Sequence, residues 1–266
     1  MGVAFDRAFF EKSGALWASA EAAVANDPAR LRNVRMSGMS ELYLKLARTP
    51  RVWCASNSTG YLSQEEVRTA ATELLKRVQE SGTVRLSESR DRHAEMLLAW
   101  QELSRLGTSA PQNGTCRTII EDRLLNLMNR GRWGDTVKDA QASDGSALKL
   151  YATHFEWCTT LPFENVAFDA GAKYRIRAKL RFEKTGKAGK AFWAGVYDAP
   201  AKKSACGMDR SAAEVSETYA WYTIGEFVPN PGQRFWIGPG VYPRDLPGNP
   251  AVTAVYIDCL ELEKLP

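Results

Sequence analysis

Histidine is scarce in this 266-residue sequence: His93 and His154 are the only two. A three-histidine zinc site within one chain is therefore impossible, and a hydrolytic triad has few bases to draw on. The five cysteines (Cys54, Cys116, Cys158, Cys206, Cys259) contain no C-x-x-C pair, which excludes a zinc ribbon and a thioredoxin-like redox motif. Their odd number leaves at least one thiol free or paired outside the chain. The sequence has no Walker loop, no dinucleotide glycine fingerprint, no G-x-S-x-G elbow and no H-E-x-x-H. No apolar run approaches the ~20 residues that cross a bilayer. The opening residues carry Asp6 and lack the apolar stretch of a secretion signal. An excess of one charge is also missing: 35 Lys+Arg against 31 Asp+Glu leaves +4, too mild to imply a nucleic-acid partner or membrane insertion. No organic cofactor is expected.

The rest of the composition is that of a globular protein, 44% hydrophobic and 25% charged, long enough for one large domain or two of ordinary size. Turn formers are unevenly spread. Before residue 116 there are 3 Pro, 7 Gly and 3 Trp; after it, 9 Pro, 13 Gly and 5 Trp. The breaker-rich stretch 107–115 reads as a linker. The expected fold class is α+β in two domains: an α-helical bundle over residues 1–108, a linker at 109–115 and an antiparallel β-sandwich over 116–266.

Four helices are expected in the first part. Phe5, Phe9, Leu16, Ala20 and Val24 keep helical spacing. Asp27-Pro28 supplies an N-cap and a first-turn proline for a second helix, which runs to Thr49-Pro50. Ser63-Gln-Glu-Glu66 is a capping box, followed by an apolar stripe at Val67, Ala70, Ala71, Leu74, Leu75 and Val78. A fourth helix is predicted from Ser89 to the glycine stop at Gly107.

Beyond Arg117 the period becomes two. Residues 173–183 alternate apolar and charged side chains, as a strand with one buried and one wet face requires. Residues 190–198, 219–228, 233–239 and 252–262 are further strand candidates, and no crossover helix separates them. That pattern predicts an antiparallel sandwich.

Several constellations are candidates for chemistry. A strand over 153–158 would line up His154, Glu156 and Cys158, as a polar site or as a strand's solvent face; His154 and Glu156 are the weak catalytic candidates. The row Lys173, Arg175, Arg177, Lys179, Arg181 is either an anion-binding face or a solvated, acid-paired one. Trp193, Tyr197, Trp221 and Trp236 could stack on sugar rings or fill the core. Asp258 lies in an apolar strand and needs a partner. A calcium ion shared with Glu121 or Asp144 would serve, and so would backbone amides or an arginine.

Asp139-Ala-Gln-Ala-Ser-Asp-Gly-Ser-Ala147, Thr153-His-Phe-Glu-Trp157, Ala220-Trp-Tyr-Thr-Ile-Gly225 and Ala254-Val-Tyr-Ile-Asp258 resemble galactose-binding-like jelly-roll modules. More narrowly, with Phe10, Trp17 and the run Ala20–Pro28, they resemble the C-terminal region of large bacterial glycosidase-like proteins related to α-glucuronidases. That resemblance implies carbohydrate binding, an extracellular or periplasmic setting, and a structural calcium held by Asp258 and Glu121. It also implies a catalytic barrel as neighbour, which this sequence does not contain.

The reading that follows is a non-catalytic accessory module of polysaccharide breakdown, with poly- or oligosaccharide as ligand and a glycosidase barrel as partner. Two alternatives stand beside it: a small glycoside hydrolase or lyase using His154 and Glu156, and a structural module that docks a catalytic partner.

Overall fold

The computed structural model describes residues 7–54, 63–82, 101, 117–154, 157–240 and 250–266. The expected linker and, apart from residue 101, the expected fourth helix lie outside them. Spatial proximity divides the chain into two compact units, residues 1–51 with 58–108, and residues 52–57 with 109–266. The boundary therefore differs from the expected one. The segment after the second helix belongs to the second unit, because strand β1 (Val52–Trp53) pairs in parallel with β7 (Val166–Ala167).

In the first unit the described residues form α1 (Arg7–Ala23), α2 (Pro28–Arg48) and α3 (Gln64–Ser81). Asp27 caps α2 by accepting from the amides of Ala29 and Arg30. Ser63 and Glu66 close the capping box of α3, and Gly82 ends it in the left-handed region that glycine adopts without a Cβ clash. The stripe on α3 is buried at Val67, Ala70, Ala71, Leu74 and Val78. The inward face of α1 is not the expected one. Leu16 is 64% exposed and Phe9 is also exposed, while Phe10 is buried. The face met by α2 runs through Phe10, Gly14, Trp17 and Glu21, with the Trp17 indole 3.5 Å from the point a Cβ on Gly38 would occupy. Glu21 then joins all three helices by accepting from Arg35 at 3.1 Å and Arg77 at 3.0 Å. No described helix is long and apolar enough to cross a membrane.

The second unit is built from two mostly antiparallel sheets. One contains β11 (Ala220–Phe227), β8 (Tyr174–Lys184), β13 (Val252–Lys264), β5 (Ser146–Tyr151) and β4 (Gly134–Lys138), in that order. Its sixth strand, β2 (Arg117–Glu121), pairs with the C-terminal half of β13, whose N-terminal half pairs with β5. The other sheet has the order β10 (Lys203–Ser211), β9 (Lys190–Asp198), β12 (Gln233–Pro239), β6 (Thr159–Pro162) and β3 (Asn126–Leu127). Leu180, Phe182, Ile257 and Leu260 of the first sheet share one core with Phe192, Val196, Phe235 and Ile237 of the second. The Phe182 and Phe192 rings meet across the layers at 5.3 Å. Burial alternates without fault along β8 from Tyr174 to Phe182. Strand β10 escaped sequence reading, because an edge strand of Lys, Ser, Gly and Asp carries almost no apolar period.

Candidate functional site

Two faces of the sandwich point away from its core. On the six-stranded sheet, every basic side chain of the row on β8 meets an acid. Arg175 bonds Glu226 at 2.8 Å and Glu263 at 3.1 Å, and Arg177 bonds Glu261 at 2.9 Å. Arg181 bonds Asp139 at 2.8 Å, and Lys173 bonds Glu226 at 2.6 Å. Lys173 and Arg175 hold the Glu226 carboxyl below its ordinary range. The register explains the ladder, since Glu226, Glu261 and Glu263 stand opposite Arg175, Arg177 and Arg175 on the flanking strands. Trp221 belongs to this face, with its indole under the Arg177 guanidinium at 4.9 Å. The row is thus acid-paired, and Trp221 stands apart from the other three aromatics with which it was grouped.

Asp258 sits at a bulge. The register slips between Ile257 and Cys259, at the point where β5 gives way to β2 as partner of β13. The extra residue brings Asp258 level with Lys179, whose ammonium lies 2.7 Å from Oδ2. The other oxygen accepts from the Ser143 amide at 2.9 Å and hydroxyl at 2.7 Å, both from the loop between β4 and β5. The hydrogen bond to Asp258 is the largest influence raising the Lys179 pKa. Asp144 is held by Arg123 and by the Ser146 amide, while Glu121 stands opposite Cys259. No three described His, Cys, Asp or Glu residues gather as a metal site. With an ammonium already against its carboxylate, Asp258 does not fit the calcium role that the resemblance implies. Beside this cluster, in the short turn after β2, both carboxylate oxygens of Asp122 are buried with no hydrogen-bond partner among the described residues. Burial, reinforced by the charge of Asp144, pushes the Asp122 carboxyl up to about 7.

The described residues of the expected strand, 153–154 and 157–158, are not in a strand, and β6 begins only at Thr159. His154 stacks on Trp133 with centroids 3.6 Å apart and planes 6° apart. Cys158 is buried in the core, where desolvation lifts its thiol to about 12. Glu156 lies outside the described residues. The row of imidazole, carboxylate and thiol needed a strand's alternation, which the described residues flanking Glu156 do not have.

On the five-stranded sheet the outward face is aromatic. Along β9, Phe192, Ala194 and Val196 point into the core, so Trp193, Gly195 and Tyr197 point out. Along β12, Phe235 and Ile237 point in, leaving Arg234 and Trp236 outside. Trp236 stands opposite Gly195, and its Nε1 lies 3.3 Å from the point a Cβ on that glycine would occupy. The missing side chain lets the indole lie down on the sheet, where it is 8% exposed. Trp193 meets Trp236 edge-on at 5.0 Å. Trp157 stacks on Trp236 at 5.5 Å with planes 9° apart, and meets Tyr197 edge-on at 5.1 Å. Trp157 does so from the turn before β6 with φ of +50°, a conformation that costs a bulky residue roughly 1–3 kcal/mol. Trp157, Trp193 and Tyr197 stay half-exposed. The structure thus unites three of the four predicted aromatics and adds Trp157.

No family model matches the sequence, and no curated protein matches it. Solved structures similar to it include carbohydrate-binding modules. The CBM22-1 xylan-binding domain from Paenibacillus barcinonensis is 12% identical, covers 55% of this chain and 92% of its own, and superposes with a TM-score of 0.37. A module of Cellvibrio mixtus lichenase 5A, in complex with cellotriose, is 11% identical over 56% and 97%, with a TM-score of 0.36. A family 35 module from Clostridium thermocellum is 15% identical over 54% and 96%, again with a TM-score of 0.36. Likeness this distant does not transfer a ligand, so the functional reading rests on the side chains of the two faces.

Proposed function

We propose that the second unit binds polysaccharide without cutting it, on the outer face of the five-stranded sheet, as an accessory module of a glycan-degrading system outside the cytoplasm. The observation that carries this reading is the cluster of Trp157, Trp193, Tyr197 and Trp236 on a face that a self-contained sandwich has no need to make aromatic. Sugar rings present apolar C–H faces that stack on indole and phenol, while their hydroxyls reach polar neighbours at the rim. Trp236 and Trp157 form a stacked pair, and Trp193 and Tyr197 stand edge-on beside them, so the patch offers ring faces and edges together. The setting proposed for it is that of a jelly-roll module of the galactose-binding kind working beside a glycosidase barrel. Affinity electrophoresis of the full chain against plant and algal polysaccharides tests it. Retardation by at least one glycan, lost in Trp193→Ala at unchanged thermal stability, is expected. No retardation by any glycan, or retardation that survives the substitution, overturns the reading.

A further inference from the structure

We infer that the aromatic face selects acidic glycans, with Arg234 receiving the carboxylate of a uronate unit; this deepens the glycan-binding reading and rests on it. The argument comes from where Arg234 stands. It projects from β12 on the same side as Trp236, between Tyr197 on β9 and Pro162 on β6, neither of which offers a negative charge. Asp198 is the acid closest to it in register. It points to the other side of the sheet and is committed to the Ala201 amide at 2.9 Å and the Gln233 amide at 3.1 Å. An ion pair beside the patch, Lys190 with Asp209 at 3.1 Å, neutralises itself next to Trp193. Arg234 has no ion pair or hydrogen bond among the described residues, and its Nε is buried without an acceptor. Its guanidinium carbon lies 6.0 Å from the Trp157 ring centroid, at the edge of the stacking surface.

This is the reverse of the other sheet, where each outward arginine of β8 is met by a glutamate or aspartate. A fixed cation at the rim of an aromatic platform, with its donors uncommitted, suits a ligand that brings its own carboxylate, because guanidinium and carboxylate match in a two-point hydrogen bond. A neutral xylan or glucan would stack on the same rings and leave Arg234 to solvent.

Calorimetry of the full chain with polygalacturonate, alginate and 4-O-methylglucuronoxylan, each beside its carboxyl-reduced neutral form, tests the inference. At least one acidic glycan is expected to bind tenfold or more tightly than its reduced form. Arg234→Gln, with an unchanged melting temperature, should bring the acidic form to the level of the neutral one, and 0.5 M NaCl should do much the same to the wild type. Equal affinity for acidic and reduced forms, or a preference that survives Arg234→Gln, overturns the role of Arg234 and leaves the glycan-binding reading standing. Absence of binding to every acidic and neutral form overturns both.

Discussion

The two outward faces of the sandwich are made from the same residue types and put them to opposite uses. On the six-stranded sheet, arginine and lysine alternate with core residues along β8, and glutamates on β11 and β13 stand beside them. The one exposed indole, Trp221, is covered by a guanidinium that is itself ion-paired. On the five-stranded sheet four aromatic rings gather around a glycine, and the arginine among them has no ion pair among the described residues. A face whose charges are satisfied from within has little left for a ligand. A face with bare rings and an uncommitted cation has both stacking area and a charge to offer. The functional content of an exposed tryptophan or arginine thus depends on its cross-strand neighbours more than on its own exposure.

The largest expected effect falls on the closed face. Lys179→Met leaves the Asp258 carboxylate buried beside Ser143 without its cation and should destabilise the chain by about 3–5 kcal/mol in urea unfolding, with glycan affinity unchanged. If Lys179 does the work that a calcium ion would do, millimolar calcium and EDTA should give wild-type melting curves that coincide. A calcium-dependent rise in melting temperature would reopen the metal site.

Asp122→Asn probes the other buried carboxylate near that face. The folded-state pKa of Asp122 is raised, so the folded protein holds this proton more tightly than the unfolded chain does. Its penalty is absent at pH 4 and grows as pH rises through about 7. The asparagine variant should therefore be more stable than wild type at pH 8, by up to about 4 kcal/mol, and no more stable at pH 4. Equal stability differences at both pH values would show that folding does not raise the pKa of this group.

On the open face the effects should appear in binding. Trp193→Ala should weaken glycan binding tenfold or more, about 1.4 kcal/mol, with little change in melting temperature, since the ring is half-exposed. Trp221→Ala should do least of all. It should leave binding unchanged and cost at most about 0.5–1 kcal/mol of stability from the lost contact with Arg177. A Trp221 variant that lost binding would invert the comparison of the two faces.

Much of the scaffold was legible beforehand because it follows from local rules. The alternation of residues 173–183 needs no partner to declare its inner and outer sides, and the capping box at Ser63 declares a helix start in four residues. The bulge at Asp258 also leaves a trace: apolar residues fall on Val255 and Ile257, then on Leu260 and Leu262, a slip of one position. That slip shows that Asp258 is displaced but not what it faces, since Lys179 and Ser143 reach it from elements 79 and 115 residues away in sequence. Trp157 was hidden for another reason. Its side is set by a turn with positive φ, and no periodicity reports that.

Period and capping thus specify which segments become helix or strand and which side chains of one strand travel together, because both depend on the few covalent neighbours of each residue. They leave open which strands lie side by side. That choice comes from the packing of the whole core, and it is what gave Arg175 and Arg177 their glutamates, gave Asp258 its lysine, and left Arg234 between a tyrosine and a proline.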